Sequence, residues 1–263
     1  MSDPLNLAAE EYFGIKADPD DIEKLRAHIC KTYGGESPEI LKTVFSSGEA
    51  AGFLTVNETY FFREPAHFWF LKDFLPSVQG KIRICCAAVA TGCEAYSIAI
   101  LIENYNKSLN KPLSYHIDAF DINPRVIEAA YKGLYNSRAL RDDGSCFHYM
   151  AEPYLKKQKD GYKTEFQIDI SLQENINFFV HNLMNELQST YDLIFFRNAF
   201  IYFTAQSKEF ILSNLSSALN EGGILIMGVS ETASVQYASL EALNKNDVFY
   251  FRKITPKNPV LSG

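Results

Sequence analysis

Residues 85–100 read CCAAVATGCEAYSIAI, and the reading of this stretch decides the fold. It holds three of the chain's five cysteines and a single glycine, then apolar residues at helical spacing. It continues the short apolar run KIRIC, so a buried strand leads into a small-residue turn and then a helix. Small side chains from Ala87 to Gly92 let a ligand approach the backbone closely, and Gly92 permits the tight turn into EAYSIAI. Cys85 and Cys86 then face opposite covered sides of a sheet. A structural zinc site needs about four ligands at suitable spacing. These cysteines form no Cys-x-x-Cys pair and His67 is the only histidine nearby, so no metal is expected.

The rhythm extends in both directions. YHIDAFDI is strand-like and PRVIEAAYKGLY helical; NINFFVHNL and YDLIFFRN are strand-like, followed by a helix from about Ser207 to Leu219, then GGILIMGV and DVFYFRK. Strands alternating with helices predict an α/β fold whose mostly parallel sheet is covered on both faces. The last two runs lack a long helix between them, which predicts an antiparallel edge strand. GYKTEFQIDIS alternates like a hairpin and predicts a small β insertion near 160–175. Residues 1–55 read as short helices, and 56–263 as the α/β domain. In DPDDIEKLRAHICKTYGG, Asp20 or Asp21 can cap, Ile22, Leu25, Ile29 and Tyr33 share one face, and Gly34 stops the helix. Ser37 caps a further helix that has Pro38 at its first position. Nothing in this region reads as catalytic.

A net charge of −7 argues against nucleic acid and against an anionic membrane surface. MSDPLNLAAEEYFG is too polar for a leader, and no apolar run reaches bilayer-spanning length. A soluble, cytoplasmic, monomeric protein is expected.

Ligands of open α/β sheets sit beyond the carboxyl ends of the strands. The turn after the first strand lacks Gly-x-Gly-x-x-Gly, so a nicotinamide enzyme is disfavoured, whereas a cofactor without a pyrophosphate needs no full phosphate cradle. Asp121, ending the second strand, can accept hydrogen bonds from both hydroxyls of a ribose. It can equally serve as an acid before the helix that starts at Pro124. With the small-residue loop it favours adenosine, and S-adenosylmethionine over a dinucleotide. Arg197, Asn198 and Tyr202 are polar groups in the greasy FFRNAFIYF, and buried polar groups need partners. Arg63 follows three aromatics in NETYFFRE, a pattern compatible with a lid that lays rings over a ligand. Each could also be a satisfied structural residue.

Four motifs occur in order: Asn-x-Thr-x-Phe-Phe-Arg-Glu at 57–64, Ala-Thr-Gly-x-Glu-Ala-Tyr-Ser at 90–97, Asp-Ile-Asn at 121–123 and Arg-Asn-x-x-Ile-Tyr-Phe at 197–203. Together they resemble the CheR family, methyltransferases that esterify glutamates of bacterial chemoreceptors with S-adenosyl-L-methionine, releasing S-adenosyl-L-homocysteine. The resemblance runs from about 55 to 253 and implies a Rossmann-like sheet. It implies that Asn57, Thr59 and Arg63 line the cofactor site, with Gly92 in the turn and Glu94 near the cofactor's amino group. Asp121 would hold the ribose, and Asn182 and Leu183 the adenine. Arg197 and Asn198 match the pair after the fourth strand, and Tyr202 the tyrosine beside the transferring methyl. Arg63 and Tyr202 are the catalytic candidates, orienting the reactants rather than trading protons. GGILIMGVSE at 222–231 resembles the family's next strand and its Ser-Glu. The implied partner is the cytoplasmic part of a chemoreceptor. The chain has Cys93 where members commonly carry a second acid beside Glu94. Its N-terminal region is less basic than the family's receptor-docking domain, with Lys24, Arg26 and Lys31 on one helix. Two other readings follow from these departures: a degenerate cofactor-binding signalling module, and a methyltransferase for another acceptor.

Overall fold

A computed structural model describes residues 3–141, 145, 147–160, 163–232 and 237–255. Four helices come first: α1 (Pro4–Phe13), α2 (Pro19–Tyr33), α3 (Pro38–Ser46) and α4 (Ala51–Leu54). The first three each begin with proline behind a side-chain cap, from Asp3, Asp18 and Ser37. The cap of α2 is thus Asp18 and not Asp20 or Asp21, because Pro19 takes the first helical position. Ile22, Leu25 and Ile29 are buried with Leu5, Phe13, Val44 and Phe45 in a cluster of their own. Tyr33 shares that face, but as the last residue of the helix it is exposed, and its hydroxyl donates to Glu49.

The remainder is α5 (Pro65–Phe74), β1 (Lys81–Ala87), α6 (Cys93–Asn106), β2 (Ser114–Asp121), α7 (Pro124–Lys132), β3 (Leu134–Asn136), α8 (Phe147–Ala151), β4 (Leu155–Asp160), β5 (Lys163–Ile168), β6 (Ile176–Val180), β7 (Tyr191–Phe196), α9 (Ala205–Ser217), β8 (Leu219–Met227), β9 (Leu240–Lys245) and β10 (Val248–Lys253). Seven strands form one sheet in the order β6-β2-β1-β7-β8-β10-β9. β6, β2, β1, β7 and β8 are mutually parallel; β10 runs antiparallel to β8, and β9 to β10. The expected antiparallel edge is therefore present, with a further strand, β9, beyond it. LEALNK is too polar on its exposed side to announce itself as a strand. α9 starts two residues earlier than expected, capped by Thr204.

The sheet is covered on both faces. Cys86 packs with Ile84, Phe68 and Tyr96 on one side, Cys85 with Ile194, Ile211 and Leu225 on the other. Burying each large apolar side chain contributes roughly 1.5–3 kcal/mol. A second, three-stranded antiparallel sheet (β3-β5-β4) lies between α7 and β6 in sequence. Its long strands occupy 155–160 and 163–168, while Ile170–Asn175 coils into 3-10 turns, so the alternation of QIDIS does not continue as strand. Residues 161 and 162 of the expected hairpin lie outside the described residues. Strand order reverses between β1 and β7, which places a crevice at their carboxyl ends.

Candidate active site

That crevice is an open cleft, about 1030 Å³ when its solvent-open mouth is counted. Its first wall is the turn after β1, where Ala88, Ala90 and Gly92 all have positive φ (59°, 50° and 87°). Two alanines held in the left-handed region mark a strained turn. Asp121 helps fix it: Oδ2 accepts from Ala90 N–H (2.9 Å) and Oδ1 from Asn123 N–H (3.0 Å). Burial pushes the Asp121 carboxyl up, against the pull of those amides. The cap of α7 is Asn123 rather than Asp121.

The segment 57–64 forms the opposite wall. Phe61 and Phe62 are buried, Phe62 stacked on Phe147 at 5.0 Å, so these rings belong to the core and are no lid. Tyr60 is the aromatic of the motif that lines the cleft, and Arg63 lies 5.8 Å from its ring centre while donating to Glu58 O (2.8 Å). Glu64 begins α5 with φ 58°.

At the floor, the guanidinium of Arg197 is 2% exposed. Nη1 donates to Glu94 Oε2 (3.0 Å), Nη2 lies 3.3 Å from Glu64 Oε2 and donates to Arg63 O, and Nε has no partner among the described residues. Asn198 (φ 59°) donates from Nδ2 to Glu64 (2.8 Å) and from its backbone to Glu231 (2.7 Å). Glu231 also accepts from Gly228 N–H (3.0 Å) and Ile201 N–H (3.3 Å), tying the loop after β7 to the loop after β8. Burial pushes Glu94 up, and Arg197 offsets only part of this. For Glu64 burial is outweighed by Arg197, Asn198 and the neighbouring groups, and the carboxyl lies below its usual range. His67 sits 3.3 Å from Glu64 without a hydrogen bond; burial and Arg197 lower it to about 3, so it is neutral.

Asn57, Thr59, Arg63, Glu94, Asp121, Asn182, Leu183, Arg197, Asn198 and Tyr202 all line this one cleft. Gly92 does not. A Cβ there would lie 2.9 Å from Ala130 Cβ and 3.1 Å from Phe178, so its absence serves packing behind the turn. Asn182 spends its side chain on Tyr12 O (2.6 Å) and Met184 N–H (2.9 Å).

A family model described as "CheR methyltransferase, SAM binding domain" matches residues 57–249. The chain belongs to this family. The chemotaxis protein methyltransferase of Vibrio parahaemolyticus is 33% identical over 186 residues, covering 68% of this chain and 66% of that protein. That of Borreliella burgdorferi is 31% identical over 191 residues (68% and 65%), and that of Escherichia coli 30% over 219 (81% and 74%). The chain therefore matches just under two thirds of the length of the first two relatives.

Seen as a CheR domain, the cleft is held together and lined by residues that sequence reasoning passed over. Glu64 and Glu231 stood inside quoted motifs, but their parts as cross-links between loops depend on backbone amides that only the fold brings near. Phe13, Ile15, Leu54 and Thr55 also line the cleft, so the N-terminal region reaches the site although nothing in it read as catalytic. The only signal of the first three was apolarity, which core packing explains equally, and Thr55 gave none. Cys93 is fully buried on the core side of the turn, 4.0 Å from Thr91 Oγ1, and does not line the cleft. The acid commonly found at that position is therefore not missing from the cleft wall, and the binding-module reading loses its basis.

Proposed function

We propose that this protein transfers the methyl group of S-adenosylmethionine to glutamate carboxylates of chemoreceptor cytoplasmic domains, acting as a cytoplasmic monomer. The observation that carries this reading is the charge imbalance at the cleft floor. Glu64 and Glu94, both only partly exposed, share the buried guanidinium of Arg197, and Glu94, Asp121 and Glu58 line the cleft against Arg197 and Arg63. A partly buried excess of negative charge is costly unless a cation joins it. The cofactor carries an ammonium and a sulfonium, so the donor set fits it.

When bound, the cofactor supplies an electrophilic methyl on a positively charged sulfur. Glu94, held by Arg197, is the acceptor for the ammonium, and Arg197 and Asn198 act through the carboxylates they orient. Asp121 keeps lone pairs for the ribose hydroxyls beyond those spent on Ala90 and Asn123. Asn57, Thr59, Asn182 and Leu183 line the same cleft. An acceptor glutamate, with a reference pKa near 4.3, is ionised at neutral pH and needs no base. Arg63 and Tyr202, on opposite walls, orient that carboxylate, and the apolar walls exclude water from the reacting charges. The test is tritiated S-adenosylmethionine incubated with the protein and membranes carrying chemoreceptors. Base-labile label on a receptor is expected; no label on any protein sinks the function.

A further inference from the structure

α1 ends abruptly at Gly14. Its N–H donates to Glu10 O (3.0 Å), its φ is +69°, and a Cβ there would lie 2.6 Å from both Met184 Sδ and Ser207 Oγ. Only glycine turns the chain at that point without strain or collision. The three residues Gly14–Lys16 then run antiparallel to 202–204. Lys16 N–H donates to Tyr202 O (3.0 Å), Thr204 N–H donates to Gly14 O (2.9 Å), and Ile15 bridges Phe203. This strap lies outside the 57–249 family match.

Tyr202 needs such support. It ends a single 3-10 turn, Phe200–Tyr202, and its side chain is 36% exposed. Among the described residues no side chain holds its hydroxyl, so its position follows from its backbone. Glu231 restrains that backbone from one side, through Ile201 N–H, and the strap from the other.

We infer that Gly14–Lys16 is the positioning element for Tyr202, so that the strap governs the rate of methyl transfer and not the affinity for cofactor. This rests on the role proposed above for Tyr202. Lys16 is exposed and, unlike Ile15 beside it, does not line the cleft, so its backbone N–H can be removed without deleting any side chain of the cleft. In the full chain, Lys16→Pro should lower kcat for receptor methylation about tenfold, since small misplacements of a reacting group have effects of that order or larger. KM for S-adenosylmethionine and Kd for S-adenosylhomocysteine should stay within about twofold. The same change made in Tyr202→Phe should have little further effect, because both act on one interaction. Equal Lys16→Pro factors in the two backgrounds, or an unaltered kcat, overturn the proposal. An amide-to-ester replacement at residue 16 removes the same N–H without a ring and covers the case in which the proline variant does not fold. If Tyr202→Phe alone changes nothing, the role of Tyr202 fails. A fluorotyrosine at position 202 then still reads the strap: its ¹⁹F resonance should shift or broaden when the Lys16 N–H is removed, and an unmoved resonance overturns the positioning.

Discussion

The one sheet carries two buried ionic clusters, and they are built on opposite principles. Toward the amino ends of the strands, Asp118 is a single carboxylate surrounded by donors: Asn177 Nδ2 (3.0 Å), Tyr191 Oη (3.1 Å), Arg83 Nη2 (3.3 Å) and the His116 ring (3.3 Å). Beyond the carboxyl ends, Arg197 is a single cation facing two carboxylates, with its Nε unpartnered among the described residues. The first cluster is saturated and faces no cleft. The second has excess charge of one sign and opens onto a large one. Saturation is what a structural network requires, whereas an excess directed into a cleft is what a ligand of opposite sign would complete.

The sharpest way to break this contrast is to remove the shared cation. Arg197→Met leaves Glu64 and Glu94 without their shared cation and mutually repelling; removing one partner of a buried pair costs about 3–5 kcal/mol, and the partial exposure of both carboxylates puts the cost at or below the lower end of that range. Denaturant unfolding should show a loss of that order, and calorimetry should show no S-adenosylhomocysteine binding in whatever protein remains folded. A variant with normal affinity would refute the charge argument.

Next in size is Glu94→Gln, which keeps the shape and removes one charge. Losing a charge-assisted contact to an ammonium should weaken cofactor binding about tenfold to a hundredfold, equivalent to about 1.5–3 kcal/mol. The pH dependence has a definite sign. Burial raises the Glu94 pKa, so the carboxylate form is lost as pH falls through that raised value, and with it the attraction for a cation. Affinity in the native protein should therefore rise with pH across that window and level off above it. Asp121 is raised for the same reason and faces the same cleft, so Glu94→Gln should flatten part of the profile and Glu94→Gln with Asp121→Asn nearly all of it. For stability the sign is opposite: a carboxyl raised by folding stabilises below its unfolded pKa, and that contribution disappears as pH rises through the folded value. An isotherm series with no pH trend in the native protein would dispose of this account.

The parts of this site that could be read from sequence are those encoded locally. Asp121 stands at the end of an apolar run, and Ala87–Gly92 forms a turn between a strand and a helix; both follow from neighbours a few residues away. The mostly parallel sheet with its antiparallel edge followed from the alternation of apolar runs, whereas the reversal of strand order at β1/β7 came only with the fold. Glu64, Glu231 and the strap were not legible, because apart from the Gly228 N–H beside Glu231 they act through amides 30 to 190 positions distant in the chain. Gly92 was legible as a glycine, but not for what it touches: its missing Cβ makes room for Ala130 and Phe178 rather than for a ligand. β9 was missed because an edge strand with one exposed face carries too few apolar residues to show a period.

The saturated cluster gives the smaller, complementary test. Asp118→Asn keeps the shape but turns an acceptor of four donors into a group that must itself donate, leaving at least one neighbour unsatisfied. The cost should be about 1–3 kcal/mol of stability, read as a shift of the denaturation midpoint. Cofactor affinity should stay within about twofold. A large loss of affinity with little loss of stability would mean that the two clusters are coupled through the sheet, and the contrast drawn between them would fail.

The smallest expected effect concerns the turn between the clusters, at Cys93. Its side chain is fully buried on the core side, and burial pushes the thiol up to about 12, Thr91 and Thr59 offsetting only part of this. The thiolate is the reactive form, so native Cys93 should resist iodoacetamide at pH 8 while exposed Cys30 reacts, as peptide mass mapping would show. Cys93→Ala should cost about 1 kcal/mol through the small void it leaves and should change neither cofactor affinity nor turnover. Cys93→Glu, which restores the acid commonly found in relatives, should instead destabilise. A carboxylate at this position would enter the apolar cluster with Tyr96 and Ile98 and find no cation there. Should that variant bind cofactor more tightly at unchanged stability, the side chain at 93 must reach the cleft, and the assignment of Glu94 as the sole acid of the turn facing the ligand would be wrong.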